Sequence, residues 1–184
     1  MMTKKIQLSV IFVFLLNISN TKVFAQINKV HADSLIKNIS FYENKKVETE
    51  GLIIHICGVD GKKMKLKTES GAIIKIVPQD SSTSFNDSLY NKRVRIFGIV
   101  KEFRIEQPEM DKMENDKNLL CHIDHTPCKD SAWVNGKKKA GIADSLSKKD
   151  IQKLKTKMEQ THKNYISVIT IFAEKYDIIE EEKK

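Results

Sequence analysis

The chain has 184 residues and a formal net charge of +8, from 32 Lys and Arg and 24 Asp and Glu. Charges of both signs are mixed along the sequence, as on a solvated surface, so the excess of positive charge does not by itself indicate a nucleic-acid-binding protein. No segment after the first 25 residues is apolar enough to cross a membrane, which excludes an integral membrane protein with several helical spans.

The first 25 residues have the three parts of a secretory signal peptide. Lys4 and Lys5 supply the positive start, residues 6–18 are almost wholly apolar, and Val23-Phe24-Ala25 ends on the small residue that precedes cleavage. An uncleaved anchor would need about 20 apolar residues, whereas the run here has about 13. We therefore predict a signal peptide over residues 1–25 and a periplasmic or secreted mature protein with no stable membrane anchor. Its formal charge falls to +5, because cleavage removes three lysines.

The mature chain is predicted to begin with a polar lead-in over residues 26–45, which includes a short helix near 31–36. Residues 46–107 then contain several runs in which apolar and polar side chains alternate, at 47–57, 64–67, 73–77 and 93–101. Asp60-Gly61 is a strong hairpin signal between the first two runs, and Glu69-Ser70-Gly71 is a second turn. A short helix is predicted within 79–91, after Pro78 ends the third run.

The order of these elements predicts an α+β protein built on a small OB-like antiparallel β-barrel. Three strands as a meander, a short helix and further strand follow one another as in an OB-fold. Gly51 and Gly98 occupy matching places in two similar segments, 46–53 and 93–100, and a glycine within a strand marks the bulge or bend that a small barrel needs to close. An open antiparallel sheet packed on a C-terminal helix is the alternative architecture.

Residues 108–184 are predicted to form a loop rich in cysteine and histidine, followed by a C-terminal helical appendage. Apolar residues recur at helical spacing from Ile151 to Tyr176, which favours one long helix over 145–175 with Ser147 as its N-cap. The β-branched residues within 166–172 suit a strand better. A helix that ends near residue 163 and is followed by a strand is therefore the alternative.

Two groups of histidine and cysteine form a candidate metal site. His55 and Cys57 lie two residues apart on a predicted strand and point to one face, and residues 121–128 read Cys-His-Ile-Asp-His-Thr-Pro-Cys. Imidazole nitrogen and thiolate sulfur are ligands of zinc and of copper. A zinc or copper site is therefore a candidate, with ligands drawn from His55, Cys57, Cys121, His122, His125 and Cys128.

The same residues are compatible with two other interpretations. An exported protein meets oxidising conditions, so a Cys121–Cys128 disulfide could close the loop of a structural or interaction protein, with Cys57 buried as a small apolar residue. Cys57 beside His55 could instead be the nucleophile of a thiol-dependent enzyme. Nothing in the sequence marks an oxyanion hole, so a protein without enzymatic activity is favoured over an enzyme.

Lys62, Lys63 and Lys65 form a basic run at the second predicted strand and are candidate ligand-binding residues. The face formed by the second and third strands is where OB-folds bind ligands. This strand has no exposed aromatic residues that would stack on bases, which argues against nucleic acid and for a solvated face or an anionic ligand. A protein partner is compatible with these features, and none of them defines one.

A strand that ends in His-x-Cys at 55–57 is followed by a Gly-Lys-Lys turn at 61–63 and a strand at 74–78. Together with segments at 133–134, 140–145 and 165–168, these residues resemble a family of small exported OB-fold-like proteins of Bacteroidetes. The resemblance implies the fold and the periplasmic location and directs attention to His55 and Cys57, but it implies no activity. The expected function is a periplasmic OB-fold-like binding module, with a transition metal as its candidate ligand.

Overall fold

A computed structural model describes residues 27–57 and 60–179, so the predicted signal peptide lies outside the described residues. The described chain begins with strand β1 (Asn28–Lys29) and helices α1 (Ala32–Lys37) and α2 (Ile39–Tyr42). Next come β2 (Lys46–Ile56), β3 (Met64–Lys67), β4 (Ile73–Pro78), a 3-10 turn (Asp87–Leu89) and β5 (Arg93–Glu106). Helices α3 (Gln107–Asn115), α4 (Ser131–Lys139) and α5 (Ala143–Thr161) precede the last strand, β6 (Tyr165–Ile178).

Strands β2 to β6 form a closed barrel in the order β2-β3-β4-β6-β5, and β5 pairs back onto β2. Every neighbouring pair is antiparallel except β4 and β6, which run parallel. A ring of five strands cannot alternate in direction all the way round, so at least one parallel pair is unavoidable. The prediction of a small OB-like barrel with helices is confirmed, and the barrel is mixed rather than wholly antiparallel.

Inward-facing side chains from all five strands fill the barrel, among them Val47, Ile53, Met64, Leu66, Ile74, Ile76, Val94, Ile96 and Ile171. Gly51 and Gly98 allow neighbouring backbones to come close. A Cβ atom at Gly51 would lie 2.8 Å from the carbonyl oxygen of Lys67, and one at Gly98 would lie 2.2 Å from that of Phe172. The pairing of β5 with β6 also shifts register beside Gly98, where Glu174 is an extra residue in β6.

The lead-in segment belongs to the barrel rather than preceding it as a free arm. Strand β1 pairs in parallel with the start of β2, which extends the sheet by one short strand. Helix α1 begins at Ala32, close to the predicted start, and its Leu35 is fully buried in the barrel core. The lead-in therefore closes one end of the barrel with apolar side chains.

The segment after α5 is a strand. His162 ends the helix in the left-handed region with a φ of 52°, and residues 165–178 form β6, so the single helix over 145–175 is wrong and the helix-then-strand alternative is correct. Ile169 and Ile171 of β6 enter the barrel core, whereas Ile166 and Val168 enter a second core. A strand buried on both faces lacks the usual alternation, which is why its apolar pattern resembles that of a helix.

Helices α3, α4 and α5 form an insertion between β5 and β6. They pack on the barrel through the second core, which comprises Ile105, Met110, Met113, Leu120, Ile151, Leu154, Met158, Ile166 and Val168. The barrel therefore comprises residues 46–106 and 165–178, which differs from the predicted division into a barrel at 46–107 and a C-terminal region at 108–184. Helix α5 begins at Ala143, so Ser147 is buried within the helix and does not cap it.

Candidate functional site

A bulge near the end of β2 decides the direction of His55. The register of pairing with β3 shifts between Ile53 and His55, so Ile54 is an extra residue in the strand. The next buried side chain after Ile53 is therefore that of Ile56. The His55 side chain lies on the outer face of the barrel. Strict alternation would place His55 on the inward face beside Ile53. The bulge is therefore what makes the imidazole available to a ligand.

Residues 119–128 form a compact hairpin that packs on this outer face. The N–H of Cys121 donates to the carbonyl oxygen of Thr126 at 2.7 Å, and the N–H of Cys128 donates to that of Leu119 at 2.8 Å. His125, at the tip, has a φ of 60° in the left-handed region, and its N–H donates to the carbonyl oxygen of Cys121 at 2.8 Å. These bonds hold the loop in one conformation, so its side chains have defined directions.

Asp124 attaches the hairpin to the barrel. Its side chain is 4% exposed and accepts hydrogen bonds from the ammonium groups of Lys63, at 2.8 Å, and Lys75, at 3.1 Å. The Thr126 hydroxyl donates to the second carboxylate oxygen at 2.8 Å. Burial by itself raises the pKa of Asp124, but the Lys63 hydrogen bond and the charge of Lys75 outweigh burial and hold this pKa well below its usual range. An ionised carboxylate thus links the hairpin to β4 and to the residue that precedes β3.

His55 and His122 are in contact through their imidazole rings. The two Nε2 atoms are 2.8 Å apart, and the rings meet edge to face with centroids 4.3 Å apart. One ring must donate its N–H to the other, so at least one imidazole is neutral. Burial lowers the pKa of both histidines, and the positive charge of Lys65 lowers both further. Both effects favour the neutral imidazole, which is the form that binds metal ions.

The three cysteines are free thiols in the structure. Cys121 lies opposite Thr126 and Cys128 lies opposite Leu119, so the two cysteines are diagonal neighbours across the hairpin. Diagonal positions are about 7–8 Å apart, whereas the Cα atoms of a disulfide are usually no more than about 6.8 Å apart. The structure contains no Cys121–Cys128 bond, and the disulfide stays a prediction.

We expect the thiols to react at different rates because they differ in burial. Cys121 is 7% exposed and burial raises its pKa, whereas Cys57 and Cys128 are half-buried. In the native protein, iodoacetamide should modify Cys121 at least about tenfold more slowly than the other two, because the accessible thiolate is the reactive form. Mass mapping of peptides over time measures the three rates. A Cys121–Cys128 pair that stays unmodified until a reductant is added would contradict the free-thiol hairpin.

Of the six residues predicted as metal ligands, the structure brings His55 and His122 into direct contact. Cys57 follows β2, and its N–H donates to the carbonyl oxygen of Lys63 at 2.7 Å. Within residues 27–57 and 60–179, no group of three or more His, Cys, Asp or Glu side chains is arranged to hold a metal ion. The histidine pair is thus the part of the predicted ligand set that the fold assembles.

The three lysines predicted to bind a ligand lie in different environments. The backbone N–H of Lys62 donates to a side-chain oxygen of Asp60 at 2.9 Å within the turn, and Lys63 is paired with Asp124. Lys65 lies in β3, where burial lowers its pKa, and its side chain lines a cavity between the barrel and the insertion. Lys65 is therefore the member of this run that can meet a ligand in that cavity.

Sequence analysis missed the ion-pair network around Asp124. Lys63 and Asp124 are 61 residues apart, and Lys75 and Asp124 are 49 residues apart, so no local pattern connects them. The sequence does show an acidic residue, Asp124, between His122 and His125 in a loop of candidate ligands. A carboxylate in such a place needs a charged partner when the loop is buried, but the sequence does not identify that partner.

No helix formed by the described residues is long and apolar enough to cross a membrane. Comparison with protein-family models finds no match to this chain, and no curated protein matches its sequence. The function is therefore inferred from the chemistry of the site, because the fold alone does not determine it.

Proposed function

We propose that this chain is an exported OB-fold-like binding module that binds zinc or copper through His55 and His122. The supporting observation is the 2.8 Å separation of the two Nε2 atoms, which belong to residues 67 positions apart in the sequence. Contact between imidazoles from such distant segments brings two ring nitrogens to one point, and each can donate a lone pair to a metal once its proton is on Nδ1. Export is the part of the proposal that depends on residues 1–25.

The separation of the nitrogens suits a metal ion after a small adjustment. Zinc binds imidazole nitrogen at about 2.0–2.1 Å, so two ligands of a tetrahedral ion lie about 3.3 Å apart. Moving the two rings apart by about half an ångström would therefore admit the ion. Each ring would then hold its proton on Nδ1, so that both Nε2 lone pairs point at the metal.

Two histidines leave the other coordination positions of the metal open to solvent. Cys57, two residues beyond His55, is the next candidate donor along the chain. With so few protein ligands, we expect the metal to exchange with solution and the fold to persist without it. A structural zinc site would behave differently, because such domains unfold when a chelator removes the ion.

Metal titration of protein purified without an affinity tag tests this proposal. Calorimetry should show about one zinc or copper ion per chain, bound exchangeably. His55→Ala and His122→Ala should each weaken binding by at least about tenfold, because each removes one of the two protein ligands. Circular dichroism melts with and without chelator should show the same fold.

His162→Asn is the matched control for the two alanine variants. It removes an exposed imidazole at the end of α5, where asparagine tolerates the left-handed φ of 52°. Its affinity for metal should equal that of the wild type. The proposal is contradicted if both alanine variants bind as tightly as the wild type, or if His162→Asn loses as much affinity as they do.

A further inference from the structure

A cavity of about 440 Å³ lies beside the histidine pair, between the barrel and the insertion. Its walls come from β3, β4, the end of α5, the start of β6 and the 119–128 hairpin, with α1 and α2 at one side. Small-molecule sites usually enclose about 300–1,000 Å³, so this cavity is large enough to hold a ligand. It lies over the second and third barrel strands, which form the usual ligand face of an OB-fold.

The cavity is lined by basic side chains. None of the described residues that line it is an Asp or Glu, whereas its basic side chains are Lys65, Lys75, His122, His125, Lys157 and Lys163. Lys75 is paired with Asp124 at 3.1 Å. In the described part of the chain, Lys65, Lys157 and Lys163 have no carboxylate within ion-pair distance. Among the described residues, these three lysines therefore line the cavity without an ion-paired carboxylate.

Asp124 and Glu102 lie close to the cavity, and both have cationic partners. Asp124 is bound by two lysines, as described above. Glu102 accepts a hydrogen bond at 2.6 Å from the hydroxyl of Ser167, which is itself a lining residue, and pairs with Arg104 at 2.6 Å. Each carboxylate thus has its own cationic partner, and Glu102 also interacts electrostatically with Lys163. Lys65 and Lys157 are the lysines of the cavity that neither carboxylate engages.

The rest of the wall is largely apolar. It includes Ile36, Ile39, Ile73, Ile123, Ile166 and Val168. Ile73 is 38% exposed, so part of this apolar surface is not covered by the described chain. An apolar wall bordered by ammonium groups offers a ligand both burial of hydrocarbon and pairing of negative charge.

We propose that this cavity binds a small organic anion with an apolar body, of the class of medium-chain carboxylates. The carboxylate head lies among Lys65, Lys157 and Lys163, and the hydrocarbon chain lies along the isoleucine wall at Ile73. An inorganic anion would leave the apolar wall exposed, and a neutral lipid would leave the lysines without a counter-ion. The anion site needs no metal ion, although His122 lines the cavity and is also a proposed metal ligand.

Calorimetry with octanoate as the probe tests the site in metal-free full-length mature protein. Octanoate should bind saturably, and its affinity should fall as salt is added, because the head group pairs with lysines. Octanol, which lacks the charge, and inorganic phosphate, which lacks the chain, should each bind at least about tenfold more weakly. Equal affinity for octanol or for phosphate would overturn the proposal, as would the absence of any octanoate binding.

Substitutions locate the binding to this cavity. Lys65→Met and Lys157→Met remove a charge and keep the apolar stem, and each should weaken octanoate binding by at least about tenfold. Ile73→Ser, at an exposed position, should also weaken octanoate binding. Lys148→Met is the matched control, because Lys148 is an exposed residue of α5 that does not line the cavity. Unchanged binding in Lys65→Met and Lys157→Met, or an equal loss in Lys148→Met, would overturn the assignment.

Discussion

Replacing Asp124 with asparagine is expected to lower the free energy of unfolding by about 2–4 kcal/mol, near the cost of breaking a buried ion pair. The substitution keeps the shape of the side chain but removes the charge that binds Lys63 and Lys75. The side chains of these lysines are 22% and 13% exposed. Hydration can therefore compensate for only part of the lost ion pairs with Asp124. Urea denaturation of the two proteins measures the difference.

The contribution of Asp124 to the free energy of unfolding should disappear in acid. Its folded-state pKa lies below the unfolded value of about 3.9, so folding favours the ionised carboxylate. The stabilisation is complete above the unfolded pKa and is lost as the pH falls through the folded pKa. The difference in unfolding free energy between the wild type and Asp124→Asn should therefore be largest near pH 7 and should shrink below about pH 4.

Asp150→Asn is the control for Asp124→Asn. Asp150 pairs with Lys153 on the surface of α5 at 2.9 Å, and the two side chains are 35% and 64% exposed. Exposed pairs of this kind contribute at most about 0.5 kcal/mol, so the variant should be nearly as stable as the wild type. Equal destabilisation by the two substitutions would show that the buried ion pairs of Asp124 do not stabilise the fold.

Asp124→Asn should also weaken metal binding, because the hairpin that positions His122 loses its link to the barrel.

Gly98→Ala is the second change with a large expected effect. A Cβ atom at this position would lie 2.2 Å from the carbonyl oxygen of Phe172 and 2.9 Å from the Cα atom of Ala173. Both are backbone atoms of the paired strand β6, so no side-chain rotation can relieve the overlap. The barrel must open locally, and the free energy of unfolding should fall by about 3 kcal/mol or more. Thermal melting or urea denaturation measures the loss.

Gly136→Ala is the matched control for Gly98→Ala. Gly136 lies in α4, and a Cβ atom built there has no neighbour within 4 Å. Alanine in a helix is favoured over glycine by about 0.5–1 kcal/mol, so this variant should be slightly more stable than the wild type. Wild-type stability in Gly98→Ala would mean that β5 and β6 do not approach as closely as described.

Local patterns in the sequence determined most of the barrel. The alternation of apolar and polar residues identified β2, β3, β4 and the start of β5, because a strand with one buried face must alternate. The two similar segments around Gly51 and Gly98 indicated where backbones come close, because glycine alone lacks the Cβ atom that would prevent it. Residue chemistry also identified the 121–128 segment and His55 as candidate ligands.

The tertiary structure alone decided the role of the C-terminal segment. Residues 165–178 complete the barrel, and the inserted helices cover the outer face of that strand. Burial on both faces removed the alternation by which the sequence would have revealed a strand. The division of the chain at residue 107 failed for the same reason, since it treated as an appendage a strand that pairs with β4 and β5.

The site also depends on contacts that no local pattern encodes. The extra residue in β2 turns His55 outward, and the ion pairs of Asp124 bring His122 to it across 67 residues of sequence. The residue types that can bind a metal or an anion were visible in the sequence. Their partners were not, because a hydrogen bond or an ion pair depends on distance in the folded protein and not on spacing along the chain.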